Sequence, residues 1–204
     1  MARRIRSGYS FVMRLIRRPR KLIGERVELR HHSRRHYPLY GEWYADEEIW
    51  NLTSWAPAPL SRRESERLFR DREASPTEES FAIHVRGEDE PIGIISLVNI
   101  NKTKGSADLS VMLGPPESRG KGYGPEAIGL LLDHAFGTLR LERVGLSVFE
   151  FNERAISAYR KLGFREDGRM RQAIKRGGQL HDAILMSLSK EEWEARGTGG
   201  ASRP

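Results

Sequence analysis

Leu109 to Gly124 reads LSVMLGPPESRGKGYG, and the chain runs on into PEAIGLLLDHAFGTL. Leu109, Val111 and Leu113 alternate as the residues on one face of a strand do, and Gly114-Pro115-Pro116 ends the run. A loop follows that sets Gly120, Gly122 and Gly124 around Arg119 and Lys121, and Pro125 has the fixed φ that suits a first helical position. Strand, glycine-rich loop and helix start together make an anion cradle. Glycines let backbone N–H groups approach a phosphate, which those groups and the helix dipole then stabilise. The ligand expected here is a diphosphate.

Two common phosphate motifs do not fit. A P-loop needs Gly-Lys followed by Ser or Thr, but Gly122 follows Lys121. A dinucleotide fingerprint needs G-x-G-x-x-G, whereas Gly120, Gly122 and Gly124 give G-x-G-x-G. What does stand at the strand end is R-x-x-G-x-G, from Arg119 through Gly122 to Gly124. This resembles the acyl-CoA pyrophosphate loop of the GNAT superfamily of N-acetyltransferases.

A second motif follows in the right order. Arg143 to Phe151, RVGLSVFEF, reads as a strand with Val144, Leu146 and Val148 on one face, and Asn152 caps the helix after it. Asn152, Ala155, Tyr159, Lys161, Gly163 and Phe164 then resemble the family's N-x-x-A-x-x-x-Y-x-K-x-G-F segment. The resemblance covers about residues 22–193 and is nearest to the branch holding ribosomal-protein N-terminal acetyltransferases and spermidine acetyltransferases.

The resemblance implies an α/β GNAT acyl-CoA N-acyltransferase fold: a mixed, mostly antiparallel sheet with splayed central strands, flanked by helices. It implies acetyl-CoA as co-substrate and no metal. The pantetheine arm would lie between the strand Ala107–Leu113 and the strand Arg143–Phe151, with backbone groups near Met112 and Leu113 on the pantetheine and thioester carbonyl. N–H groups of Arg119, Gly120, Lys121, Gly122, Tyr123 and Gly124 would hold the pyrophosphate. The side chains of Arg119 and Lys121 either add charge there or stay solvated, and Asn152 either contacts the cofactor or only caps its helix.

Direct attack by an amine needs proximity, a neutral nucleophile and a proton for the departing thiolate. Tyr159 follows Asn152 by two helical turns, which puts both on one side of the helix, and its phenol is the candidate general acid. The base is harder to assign. Some relatives carry a Glu twelve residues before the Tyr, where this chain has Ser147. Asp108 is the second candidate catalytic residue, acting through water, with a salt-bridging strand-end carboxylate as the alternative. His134 is read as structural. An alkylammonium of pKa about 10 is about 0.1% neutral at pH 7, whereas an α-amine near 8 is about a tenth neutral, so the need for a base depends on the acceptor.

A chain of 204 residues suits one enzyme-sized domain that buries a substantial core. The absence of cysteine excludes disulfides, thiolate metal sites and a sulfur-borne acyl-enzyme. No apolar run approaches a membrane span and no signal-peptide core is visible, so a cytoplasmic location is the expectation. The formal charge is +7, yet residues 1–24 carry eight basic residues and no acid, which leaves the remainder at −1. The expected division is a basic, flexible extension over 1–21, the catalytic domain over 22–195 and a disordered end over 196–204. The extension is either a solvated arm or a weak polyanion contact. The other expected partner is an amine-bearing small molecule or protein N-terminus, and a homodimer is the expected assembly.

Taken in order, Arg26–Arg30 reads as a strand, Tyr37–Asp46 as a helix, Ile49–Leu60 as a Trp- and Pro-rich loop, and Ser61-Arg62-Arg63-Glu64 as a capping box opening a helix to about Ala74. By resemblance this region forms part of the acceptor pocket, where Trp50 and Trp55 either recognise the acceptor or pack. Strands are expected over Phe81–Arg86, Ile92–Ile100 (with Gly93 marking a bulge), Ala107–Leu113, Phe164–Lys175 and Asp182–Leu188. Ile128, Leu131, Leu132, Ala135, Phe136 and Leu139 form one helical stripe, and a short helix closes through Trp193. Two function classes fit: an acetyl-CoA-dependent N-acetyltransferase acting on a primary amine, and a non-catalytic acyl-CoA-binding or regulatory module.

Overall fold

The computed structural model describes residues 21–198. The basic extension apart from Lys21, and residues 199–204 of the C-terminal end, lie outside the described residues. Eight strands make one sheet: β1 (Lys21–Ile23), β2 (Val27–Arg30), β3 (Glu79–Val85), β4 (Pro91–Asn101), β5 (Ser106–Leu113), β6 (Arg143–Phe149), β7 (Arg165–Arg176) and β8 (Gln179–Ser189), in the order β1-β2-β3-β4-β5-β6-β8-β7. All neighbours are antiparallel except β5 and β6. The helices are α1 (Tyr37–Ala45), α2 (Glu47–Thr53), α3 (Arg62–Ala74), α4 (Tyr123–Asp133), α5 (Glu153–Lys161) and α6 (Lys190–Thr198).

Alternation along the strands builds two cores on the two faces of the sheet. Phe81, Ile83, Ile95, Leu97 and Leu109 pack with Ile128, Leu131 and Leu132 of α4 and with Ile156 and Tyr159 of α5. Ala82, Ile94 and Met112 point the other way, into an aromatic cluster of Tyr37, Tyr40 and Trp43 from α1 and Phe69 from α3. The expected α/β sandwich on a mixed, mostly antiparallel sheet is therefore present, and its seam is the one parallel pair.

That seam opens. β5 and β6 pair only at Ser106–Arg143, Ala107–Val144 and Asp108–Gly145. Beyond Asp108 both strands continue, β5 paired with β4 and β6 with β8, but among the described residues no strand lies between their facing edges. The splay of the central strands is thus a gap with unpaired backbone on both sides.

Several boundaries differ from the sequence reading. Ile49–Leu60 is not all loop, because Asp46 both ends α1 and caps α2, accepting a hydrogen bond from the Ile49 N–H at 2.8 Å. Glu47 and Glu48 then sit in the first turn of α2, where the helix dipole favours acids. α4 starts at Tyr123, so Pro125 is its third residue. The stripe to Leu139 passes through a π-helical turn over His134–Thr138. α6 reaches Thr198, beyond the expected domain end at 195, and β7 runs through Arg176 into a turn at Gly177-Gly178. The bulge expected at Gly93 lies where β3 and β4 change register: Ile83 faces Gly93 and His84 faces Pro91, leaving Ile92 extra.

Candidate active site

Backbone geometry accounts for the glycines. Gly120 and Gly122 have φ of +78° and +82°, which L side chains rarely adopt, and Gly122 is the residue before α4. Gly124 lies inside the first turn. Among the described residues, no hydrogen-bond acceptor is taken by the backbone N–H groups of Gly120 through Gly124; the first N–H past the turn that finds one is that of Glu126, bonded to the Gly122 carbonyl at 3.2 Å. The start of an 11-residue helix with free N–H groups fits a phosphate group.

Arg26, which sequence reading did not single out, holds this loop from behind. Its Nη1 donates to the Lys121 carbonyl at 3.0 Å and its Nε to Glu126 at 2.9 Å, while Glu126 also accepts from the Arg26 and Val27 N–H groups at 2.7 and 3.1 Å. Burial would raise the Glu126 carboxyl, but these hydrogen bonds hold it below its ordinary value. No local pattern marks Arg26, because its partners lie about a hundred residues on.

A cleft of about 1140 Å³ runs through the gap between β5 and β6. It reaches from the face carrying α4 and α5, where Pro125 and Ala158 line it, to the face carrying α1–α3, where Trp50 and Leu68 do. Met112, Leu113, Arg119, Gly120, Gly122, Tyr123, Gly124, Asn152, Tyr159 and Asp108 all line this one cleft. Lys121 is not among its lining residues. Arg119 lines it but its guanidinium is engaged, donating to Glu48 at 2.7 Å and to the Gly114 carbonyl at 3.0 Å, so it ties the loop to α2.

Tyr159 is 9% exposed, and burial pushes its phenol up to about 12. Its hydroxyl has no hydrogen-bond partner among the described residues, and its ring stands edge-on to Phe164 with centroids 5.8 Å apart. Asp108 sits at the fork itself, opposite Gly145, and its Oδ2 accepts from Asn99 Nδ2 at 2.9 Å. Asn99 has a φ of 54° at the irregularity of β4, a position no sequence rule picked out. Ser147 lines the cleft from β6. Asn152 caps α5 through Ala155 N at 3.2 Å and donates to the Leu52 carbonyl at 3.3 Å, so both ends of its amide are used within the chain. His134 lies away from the cleft and is paired with Glu79 at 2.6 Å.

On the α1–α3 side, Trp50 Nε1 donates to the Ala56 carbonyl at 2.9 Å. Arg176 stacks on Trp50 and donates to the Ser54 carbonyl at 2.6 Å. Trp55 is 45% exposed, its ring edge-on to Phe149 at 5.0 Å between centroids. Trp50 is thus a packed residue and Trp55 an open one.

A parallel pair opens over a cleft, with a free-amide helix start at one end and a buried phenol lining it. A model of the family described as the acetyltransferase (GNAT) domain matches residues 26–165, and the chain belongs to this family. A spermidine N(1)-acetyltransferase of Escherichia coli is 34% identical over 119 residues, 58% of this chain and 62% of that enzyme, so the chain spans about three fifths of this relative's length. An uncharacterized N-acetyltransferase, p20 of Bacillus licheniformis, is 28% identical over 175 residues, 84% of this chain and 97% of that protein. The crystal structure of a Vibrio cholerae spermidine N-acetyltransferase in complex with CoA and spermine superposes with a TM-score of 0.76 at 25% identity, covering 83% of this chain and 98% of that one.

Proposed function

We propose that this chain is an acetyl-CoA-dependent N-acetyltransferase that moves an acetyl group to a primary amine by direct attack, within a catalytic domain over 22–195 whose last helix runs on to Thr198. The observation that carries this reading is the opened β5–β6 pair, with the unbonded N–H groups of Gly120 to Gly124 and the Tyr159 hydroxyl on the same cleft. Membership of the acetyltransferase family and the CoA-bound relative support it.

In this reading the amides of Gly120 to Gly124 hold the pyrophosphate, and the backbone of Leu113, which alternates with the β4-facing backbone of Met112, aligns the pantetheine and thioester. Arg119 and Lys121 contribute backbone rather than charge, since Arg119 is spent on Glu48 and Lys121 stands off the cleft. The acceptor nitrogen forms the new C–N bond as the C–S bond breaks, and Tyr159 gives its proton to the departing sulfur. With its phenol at about 12, Tyr159 is fully protonated at neutral pH. Burial raises the basicity of a thiolate in the same place, so donor and acceptor move together. The ammonium gives its first proton to water at the fork, oriented by Asp108, and the second, released as the amide forms, returns through water to the Tyr159 phenolate.

A non-catalytic acyl-CoA-binding module is the second reading, and the free Tyr159 hydroxyl argues against it. Incubation with acetyl-CoA and an amine panel, followed by free CoA thiol and product mass, decides between them. Amine-dependent thiol release is expected; tight acetyl-CoA binding without release would establish the module. A cytoplasmic location, a homodimer and a weak polyanion contact through residues 1–21 accompany this proposal. Light scattering and a salt series with the extension deleted test the last two.

A further inference from the structure

The acceptor side of the cleft lacks what a polyamine requires. Among the described residues two carboxylates line the whole cleft: Glu48, paired with Arg119, and Asp108, whose Oδ2 accepts from the neutral Asn99 amide. Five cationic side chains line it as well, Arg26, Arg72, Arg119, Arg154 and Lys161, of which the first three are ion-paired with Glu126, Glu78 and Glu48. A polyamine enters with several ammonium groups, and each one taken from water needs a carboxylate partner. Here Asp108 is the one cleft carboxylate among the described residues without a cationic partner, too few for the several ammonium groups of a polyamine.

What the acceptor side offers instead is apolar. Trp55 and Met170 are 45% and 44% exposed, and both line the cleft together with Phe149, on which Trp55 packs. An exposed indole on the wall of the cleft is an anchor for an apolar side chain at little conformational cost. Base chemistry points the same way. With Ser147 on β6, the carboxylate left at the fork is Asp108, and Asn99 takes one of its two oxygens. An acceptor that is already about a tenth neutral at pH 7, as an α-amine is, needs little help, whereas an alkylammonium about 0.1% neutral needs much.

On the acetyltransferase reading above, we infer that the acceptor is the α-amine of a peptide N-terminus led by an apolar residue, and that Trp55 is the residue that selects it. The amine reaches the fork between Asp108 and Ser147 while the first side chain lies on Trp55, between Phe149 and Met170.

Steady-state kinetics with acetyl-CoA and three acceptors, a Phe-led pentapeptide, a Gly-led pentapeptide of otherwise equal sequence, and spermidine, test this. The expected kcat/KM for the Phe-led peptide exceeds that for spermidine at least tenfold. In Trp55→Ala the preference for Phe over Gly falls about tenfold, mainly through KM, and Trp55→Phe restores most of it. The exposure of Trp55 makes a folding failure easy to recognise, because the variant should keep the wild-type Tm within a few degrees. Spermidine as the better acceptor, or an unchanged Phe-to-Gly ratio in Trp55→Ala, overturns the inference. Tight acetyl-CoA binding with no turnover of any acceptor overturns the acetyltransferase reading itself, and this inference with it.

Discussion

The Arg176 guanidinium lies 3.9 Å from the centre of the Trp50 ring, so the tip of the β7–β8 hairpin holds down the loop that carries Trp55. Its Nη2 also donates to the Ser54 carbonyl at 2.6 Å, and the residue is 7% exposed. Arg176→Met keeps the stem but removes the stacked cation and one buried donor, a loss of about 1–3 kcal/mol. The Tm should fall by roughly 3–8 °C. The acceptor KM should rise while the acetyl-CoA Kd stays within twofold. An unchanged Tm and KM would show that the loop holds itself.

Gly122 and Gly124 make separable demands. A β-carbon at Gly122 would sit at φ +82° and 2.9 Å from an Arg26 nitrogen, so Gly122→Val should lose both stability, by about 1–2 kcal/mol, and acetyl-CoA affinity. At Gly124 the nearest atom to a β-carbon is a Leu113 methyl at 3.7 Å, an ordinary contact, but the position faces the cleft. Gly124→Val should therefore fold normally and still bind acetyl-CoA at least tenfold more weakly in calorimetric titration. Wild-type affinity there would remove the loop from the cofactor site.

Gly93 sets the approach of β4 to β5. A β-carbon on it would stand 2.4 Å from the Met112 carbonyl oxygen, which is backbone and has no rotamer to escape through. Gly93→Ala should cost about 1–3 kcal/mol in urea unfolding and shift the strand that carries Met112 and Leu113. Acetyl-CoA affinity should drop with it. Stability equal to wild type would mean that the bulge at Ile92 absorbs the methyl group.

Tyr159→Phe keeps the ring against Phe164 and removes only the hydroxyl. Turnover should fall by roughly 10²–10³ with acetyl-CoA affinity nearly unchanged. An acetyl donor with a more acidic thiol should recover part of the loss. The phenol titrates at about 12 in the folded chain and near 10 when unfolded, so its neutral form favours the fold fully below about pH 10 and that contribution is lost between about 10 and 12. In wild type the rate should therefore show no alkaline limb from this group below about pH 10. A Phe variant with normal turnover would make Tyr159 a core residue.

His84 gives an acid-side signature. Burial first, then the charges of Arg30 and His36, push its imidazole down to about 4, against the opposing pull of Glu28 and Asp89. Since the folded pKa lies below the unfolded one, the stability this group supplies is complete above about pH 6.5 and is lost as pH falls towards 4. The Tm should drop by roughly 3–6 °C between about pH 6.5 and 4.5, and His84→Phe should show a shallower drop. Parallel curves for the two proteins would place the acid sensitivity elsewhere.

Much of this was legible in the order of residues. The Arg119–Gly124 loop and the Asn152–Phe164 segment are local patterns, so their backbone conformations are written in neighbouring residues: glycine where φ is positive, Asn where a helix needs a cap. The helix at Glu47–Thr53 was missed because one residue, Asp46, ends one helix and caps the next, and rules that look for separate signals see only the end. The expected strand Phe164–Lys175 stops short of Arg176, and nothing nearby says that its guanidinium will lie on a Trp well over a hundred residues earlier.

The sequence by itself determined the family, the strand–loop–helix of the anion cradle and the alternation that sorts side chains onto two faces of a sheet. These depend on φ preferences and on periodicities of two and 3.6, which are properties of short stretches. Only the tertiary structure decided which charges are free. Arg119 is neutralised by Glu48 from α2, Lys121 stands off the cleft, Arg26 arrives from the turn between β1 and β2 to brace the loop, and Asp108 is met by Asn99 across the β4–β5 pair. Electrostatic partners are chosen by distance in space, and a chain folded through eight strands brings together groups that its sequence keeps a hundred residues apart.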